Sequence, residues 1–175
     1  MELTLLNHRI IFLAGEIDTE MANLVIQKLL LLNAMDQEKA IDLYINSPGG
    51  SVSDGFAIID TMHCINAPVK TICIGRAESM GAWVLAAGSK GERFATPNAE
   101  IMLHQMASGF RGQTSHIRSY ASHLTNLQDI LVKMLSKWTG KSEDQIQRDI
   151  EVELFMNAKE AKEYGLIDHI LDYQK

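Results

Sequence analysis

Three apolar runs, each leading into a helix-like stretch, constrain this chain more than any other feature of its sequence. The first, Arg9-Ile10-Ile11-Phe12-Leu13-Ala14-Gly15, is β-branched and aromatic and is stopped by glycine, so it reads as a buried strand. Asp18 or Thr19 can then cap a helix whose apolar positions include Met21, Leu24, Val25, Leu29 and Leu32. The second run, Ile41-Asp42-Leu43-Tyr44-Ile45, alternates, which predicts a strand with one less protected face. Asn46-Ser47-Pro48-Gly49-Gly50 ends it, and Val52, Phe56, Ile59 and Met62 or His63 recur at helical spacing. The third run, residues 69–74, leads into a small-residue stretch that becomes an Ala/Leu-rich helix after Ser79. Strand then helix, three times over, predicts mostly parallel strands covered by helices: an α/β architecture.

The pattern changes further on. Arg93-Phe94-Ala95 and Ile101-Met102-Leu103 are short strand candidates on either side of Pro97-Asn98. After the turn-rich Ser108-Gly109-Phe110-Arg111-Gly112-Gln113, the residues Ile117, Tyr120, Leu124, Leu127, Leu131, Met134, Leu135 and Trp138 step by three or four. That is an apolar stripe down one long helix, started by Thr114 or Ser115 and ended by Gly140. The stripe is either core or a surface for another subunit. Ser142-Glu143-Asp144-Gln145 and Asn157-Ala158-Lys159-Glu160 read as capping boxes that begin two short helices. No linker or low-complexity tract divides the chain, so residues 1–175 read as a single domain.

Composition excludes several classes. The chain has 175 residues and a net charge of −6, so it lacks the basic footprint of a nucleic-acid binder. Its two cysteines, Cys64 and Cys73, stand in no metal-ligand spacing and read as buried free thiols; no metal or cofactor is expected. The first residues do not resemble a signal peptide, and no apolar run reaches the length of a membrane span. The expected address is the cytoplasm.

Chemistry has one natural place to start. Ser79 sits between small residues at a strand-to-helix corner, where a hydroxyl can act either as a helix N-cap or as a nucleophile. His104 directly follows a short strand and is the best-placed base. His8, His63, His116, His123 and His169 lie near a terminus or on or near helices and are weaker candidates. Gly49-Gly50 at a strand end can leave a backbone N–H pointing at a ligand, although the same pair also makes a plain tight turn. The glycines form neither G-x-G-x-x-G nor a P-loop.

Five segments occur in fixed order: Asn46-Ser47-Pro48-Gly49-Gly50-Ser51-Val52, residues 75–81 around Ser79, Phe94-Ala95-Thr96-Pro97-Asn98, Ile101-Met102-Leu103-His104-Gln105 and residues 158–168. Together they resemble the ClpP family, the proteolytic subunits of the Clp protease, over about residues 9–168. The resemblance implies a crotonase-like α/β fold of repeated strand–strand–helix units, with residues 105–140 as a protruding helical handle. It implies a serine endopeptidase in which Ser79 is the nucleophile, His104 the base, and the N–H groups of Gly50 and Met80 the oxyanion hole. Ser51 and Val52 would lie along a strand that holds an extended peptide. The implied partners are further copies in heptameric rings stacked in pairs, a Clp-type AAA+ unfoldase that hydrolyses the ATP, and unfolded polypeptides.

Three positions depart from the family pattern. Glu153 stands where the family has its catalytic aspartate, with Glu151 and Asp149 as further carboxylates nearby. Glu151-Val152 replaces an acid–arginine pair, and Met106 replaces a proline. The segment before the first strand is also shorter than the family's pore loops. These departures support a second reading, a weakly active or silent paralogue that works only in mixed rings. A third, a crotonase-type acyl-CoA enzyme, shares the glycine-backed oxyanion hole but does not account for the Ser79/His104 pair.

Overall fold

The computed structural model describes residues 2–172 apart from Ser108, Phe110 and Gly112. The first half follows the strand–helix repeat: α1 (Glu2–Asn7), β1 (Ile10–Ala14), α2 (Thr19–Met35), β2 (Ile41–Ser47), α3 (Val52–Cys64), β3 (Val69–Glu78) and α4 (Met80–Ala86). The second half adds β4 (Arg93–Ala95), β5 (Glu100–Leu103), α5 (Thr114–Thr139), α6 (Glu143–Asp149), β6 (Leu154–Asn157), α7 (Ala158–Tyr164) and β7 (His169–Ile170). Strands β1-β2-β3-β4-β7 form one parallel sheet in that order.

The sheet forks at β3. Thr71–Cys73 pair with β4, while Arg76–Glu78 pair in parallel with β5, and β6 then runs antiparallel to β5. A bulge makes this possible, because the β2–β3 register steps from Ile45–Cys73 to Ser47–Ala77. The strand expected to end at Ile74 therefore continues to Glu78.

The core lies between this sheet and the helices. The alternation of β2 does what its pattern requires: Ile41, Leu43 and Ile45 are buried, while Asp42 and Tyr44 are half-buried and Tyr44 stacks on Phe12. In α2 the N-cap is Asp18, which accepts from the Met21 N–H, and Val25, Leu29 and Leu32 are buried. Leu24 instead faces outward, 41% exposed. The far end of α2 is held by Arg9, whose guanidinium donates to four carbonyls, those of Leu32, Asp36, Lys39 and Ala40.

Helix α5 is anchored near its C-terminus. Leu131, Val132 and Leu135 are buried, whereas Ile117 is exposed and Tyr120, Leu124 and Leu127 are half-buried. Gln113 is its N-cap and Gly140 its left-handed C-cap. Of the turn-rich segment before it, Ser108, Phe110 and Gly112 lie outside the described residues. The Asn157 capping box forms in full, and Ser142 accepts from the Gln145 N–H. Cys73 is buried, and burial pushes its thiol up to about 12. Cys64 is exposed, against expectation, because it falls at the open end of α3. No helix of the described residues is long and apolar enough to cross a membrane.

A buried ion pair closes the β4/β7 side. Arg93 donates from Nη2 to Asp168 Oδ1 at 2.7 Å and from Nε to Oδ2 at 2.8 Å, and its Nη1 reaches the carbonyls of Ala86 and Trp138. Burial alone would raise the Asp168 carboxyl, but the Arg93 guanidinium and the Gly91 and Arg93 N–H groups outweigh it and hold its pKa below the usual value. A depressed folded-state pKa makes this contribution fully present above the ordinary carboxylate pKa and loses it as pH falls through the lower folded value. Asp168→Asn is expected to lower stability by about 3 kcal/mol near neutral pH. It should also flatten the acid limb of the stability profile, read as melting temperature against pH.

Candidate active site

Ser79 occupies a strained corner. It joins the end of β3 to the start of α4 with φ 51° and ψ −131°, a region an L-residue enters only when its surroundings enforce it. The enforcement is visible on both sides. The Ser79 N–H donates to the Met102 carbonyl at 2.8 Å, and its own carbonyl accepts from the Ala82 N–H at 2.8 Å. Although Ser79 sits at the N-cap position of α4, its side chain makes no capping hydrogen bond. The hydroxyl is half-buried and not committed to the helix. The strand–turn–helix geometry is that of a nucleophile elbow.

The turn after β2 packs directly beneath this elbow. Buried Ser47 accepts the Gly49 N–H on its Oγ at 3.0 Å, and Gly49 has φ +89°. A Cβ on Gly49 would lie 2.7 Å from the Glu78 carbonyl oxygen, 2.7 Å from Ser79 Cβ and 2.9 Å from the Met80 nitrogen. Glycine here is what lets the two corners touch. Gly50 forms an isolated parallel bridge with Ile17, whose N–H donates to Gly49 O and whose carbonyl accepts the Ser51 N–H, both at 2.8 Å. Both hydrogen bonds of the bridge run through Gly50's neighbours, so its own N–H is turned away from Ile17. Met80 opens α4, so its N–H has no acceptor within the helix. Gly50 and Met80 line the same cleft as Ser79.

Pairing of non-local strands brings in the remaining groups. The β3–β5 register sets Glu78 beside Met102, so His104 emerges from β5 next to the elbow. The antiparallel β5–β6 ladder ends at the Leu103–Leu154 pair, with His104 the next residue on one chain and Glu153 the preceding residue on the other. A cleft of about 80 Å³ is lined by Gly50, Val52, Ser79, Met80 and His104, among others. Ser51 and Glu153 do not line it, and Glu153 is exposed. Among the described residues no hydrogen bond joins Ser79, His104 and Glu153.

The family model for Clp protease matches residues 2–174. The chain belongs to the Clp protease family. The Clp proteases are a family of serine peptidases. One placement differs from the sequence reading. The extended stretch stops at Ser51, which caps α3 by accepting the Asp54 N–H, and Val52 is already helical. Ser51 is a favourable N-cap, and that local preference ends the strand sooner than expected.

Two residues that shape the cleft were given no role of their own by the sequence. Buried Trp83 donates its indole N–H to the Leu131 carbonyl at 3.1 Å, pinning α4 to α5. Gln105 donates its backbone N–H to Ile150 O at 2.8 Å and its side-chain amide to Glu151 O at 3.2 Å. A larger hollow of about 960 Å³ lies elsewhere, near the C-terminal ends of α3, α4, α5 and α7. Its Lys137 and Lys162 stand in the last turns of α5 and α7, where cations offset helix-end carbonyls.

Proposed function

We propose that residues 1–175 form one peptidase domain, a serine endopeptidase subunit of the Clp type, with Ser79 as nucleophile. The observation that carries this reading is the Ser79 elbow: a strained serine whose hydroxyl caps no helix, lining one cleft with Gly50, Met80 and His104. His104 takes the Oγ proton as Oγ bonds to the scissile carbonyl carbon, while Gly50 and Met80 donate to the oxyanion. The C–N bond then breaks, His104 protonates the leaving amine, and water releases the acyl group by the reverse proton path. Val52 lines the cleft next to the reacting bond, and Ser51 holds the turn that precedes it.

Clp proteases work as rings with Clp ATPases, and the half-exposed stripe of α5 supports self-association here. Unfolded polypeptide fed by an AAA+ unfoldase is the substrate this reading implies, with ATP hydrolysis in the partner. The test is covalent: a fluorophosphonate probe should label the chain, and peptide mapping should place the adduct on Ser79. No labelling, or an adduct elsewhere, would overturn the assignment.

Glu153 is the proposed orienting acid, motivated by its place at the end of the β5–β6 ladder from which His104 also emerges. Its exposure, and the lack of a hydrogen bond to His104, favour the second reading of a chain weakly active alone. Glu153→Gln is expected to lower kcat by about tenfold to a hundredfold with KM little changed, a positioning loss. An unchanged kcat would remove Glu153 from the mechanism. Strong cleavage by the purified chain, assayed without a homologue, would exclude the silent-paralogue reading.

A further inference from the structure

His104 lies just beyond the end of β5, so the sheet ladder does not hold it; the two residues after it do. Gln105 is tied on one side to the Ile150–Glu151 turn. Met106 is tied on the other side, because its backbone N–H donates to Gln128 Oε1 of α5 at 2.8 Å. Gln128 is half-buried and lies three residues before Leu131, so both face the same side of α5. Leu131 is the residue whose carbonyl takes the Trp83 indole N–H. One turn of α5 therefore grips both halves of the site, the nucleophile's helix through Trp83 and the base's segment through Met106.

We propose that Gln128 is a positioning residue: by holding the Met106 N–H it fixes His104 relative to Ser79, so that the 128–131 turn of α5 sets the nucleophile–base separation. The inference rests on the serine-peptidase reading for its consequence in rate. It does not rest on that reading for its consequence in geometry.

The experiment compares Gln128→Ala, Gln128→Glu, Met106→Pro and the double variant Gln128→Ala/Met106→Pro. Gln128→Glu keeps an acceptor for the N–H, and Met106→Pro removes the donor. Gln128→Ala should lose about tenfold in kcat on a short fluorogenic peptide and in the rate of fluorophosphonate labelling of Ser79, with KM within about twofold. Gln128→Glu should keep the unchanged chain's rate. The double variant should be no slower than the slower single, since both changes break one contact. Thermal unfolding identifies any variant that fails to fold, and the remaining ones decide the question.

A Gln128→Ala chain as fast as the original, a Gln128→Glu chain as slow as Gln128→Ala, or losses that multiply in the double variant would each overturn the proposal. NMR of the His104 imidazole gives a readout independent of cleavage. Its resonances should move towards those of a free histidine in Gln128→Ala. If the unchanged chain neither cleaves nor labels but the resonances still move, the peptidase reading falls and the positioning role stands. If labelling persists and neither rate nor resonances respond, the positioning role falls alone.

Discussion

Ser79→Ala is expected to reduce peptide cleavage to background, a loss of roughly 10⁴-fold or more in kcat, and to abolish labelling by the fluorophosphonate probe. It should do so without loss of stability. The Ser79 hydroxyl makes no capping hydrogen bond, and alanine keeps the Cβ already accommodated at φ 51°, so removal of Oγ breaks no bond within the chain. The change in unfolding free energy should stay within about 0.5 kcal/mol. A serine acting as a helix cap predicts the opposite pair of results. Stability would fall by about 1 kcal/mol and cleavage would persist. Kinetics and a melting curve on one variant therefore separate the two roles that a serine at this corner can play.

The second large effect belongs to Gly49→Ala. A methyl there meets the Glu78 carbonyl oxygen, Ser79 Cβ and the Met80 nitrogen at 2.7–2.9 Å, none of which is the far end of a flexible side chain. It must also adopt φ +89°, a conformation costly for an L-residue. Left-handed strain and overpacking together should cost roughly 2–4 kcal/mol. The elbow can relieve the clash only by moving away, which shifts Ser79 and the Met80 N–H together. Displacement by about 1 Å is worth on the order of a hundredfold in rate. A folded Gly49→Ala chain with unchanged kcat would mean that the two corners do not depend on each other.

Much of this was legible in the chain, for local reasons. Parallel strands covered by helices follow from apolar runs ended by Gly or Pro-Gly-Gly, and the caps Asp18, Ser142 and Asn157 follow from side-chain chemistry within three residues. Ser79 and His104 could be singled out because each stands at a strand end. What was not legible depends on distant partners. The continuation of β3 to Glu78 needs β5 alongside it, and the arrival of His104 and Glu153 at one end of a ladder needs the β5–β6 pairing. Nothing local marks Trp83, because its role depends on the distant Leu131 carbonyl that takes its N–H. Leu24 and Cys64 misled in the other direction, since an apolar or thiol side chain suggests burial without saying which side of a helix is covered. The resemblance implied a strand through Ser51 and Val52, whereas Ser51 caps α3 and Val52 is helical.

The fork of the sheet at β3 amounts to a division of labour. One branch, β4 with β7, ends in the Arg93–Asp168 pair and fastens the C-terminal segment to the fold. The other, β5 with β6, ends beside His104 and Glu153. The branches part at the bulge, before the strand reaches Ser79. Length, twist or side chains can therefore drift on the β5/β6 branch, retuning the proposed base and acid, while the fastening on the β4/β7 branch stays as it is. A replaced acid at position 153 is the kind of change such a partition tolerates.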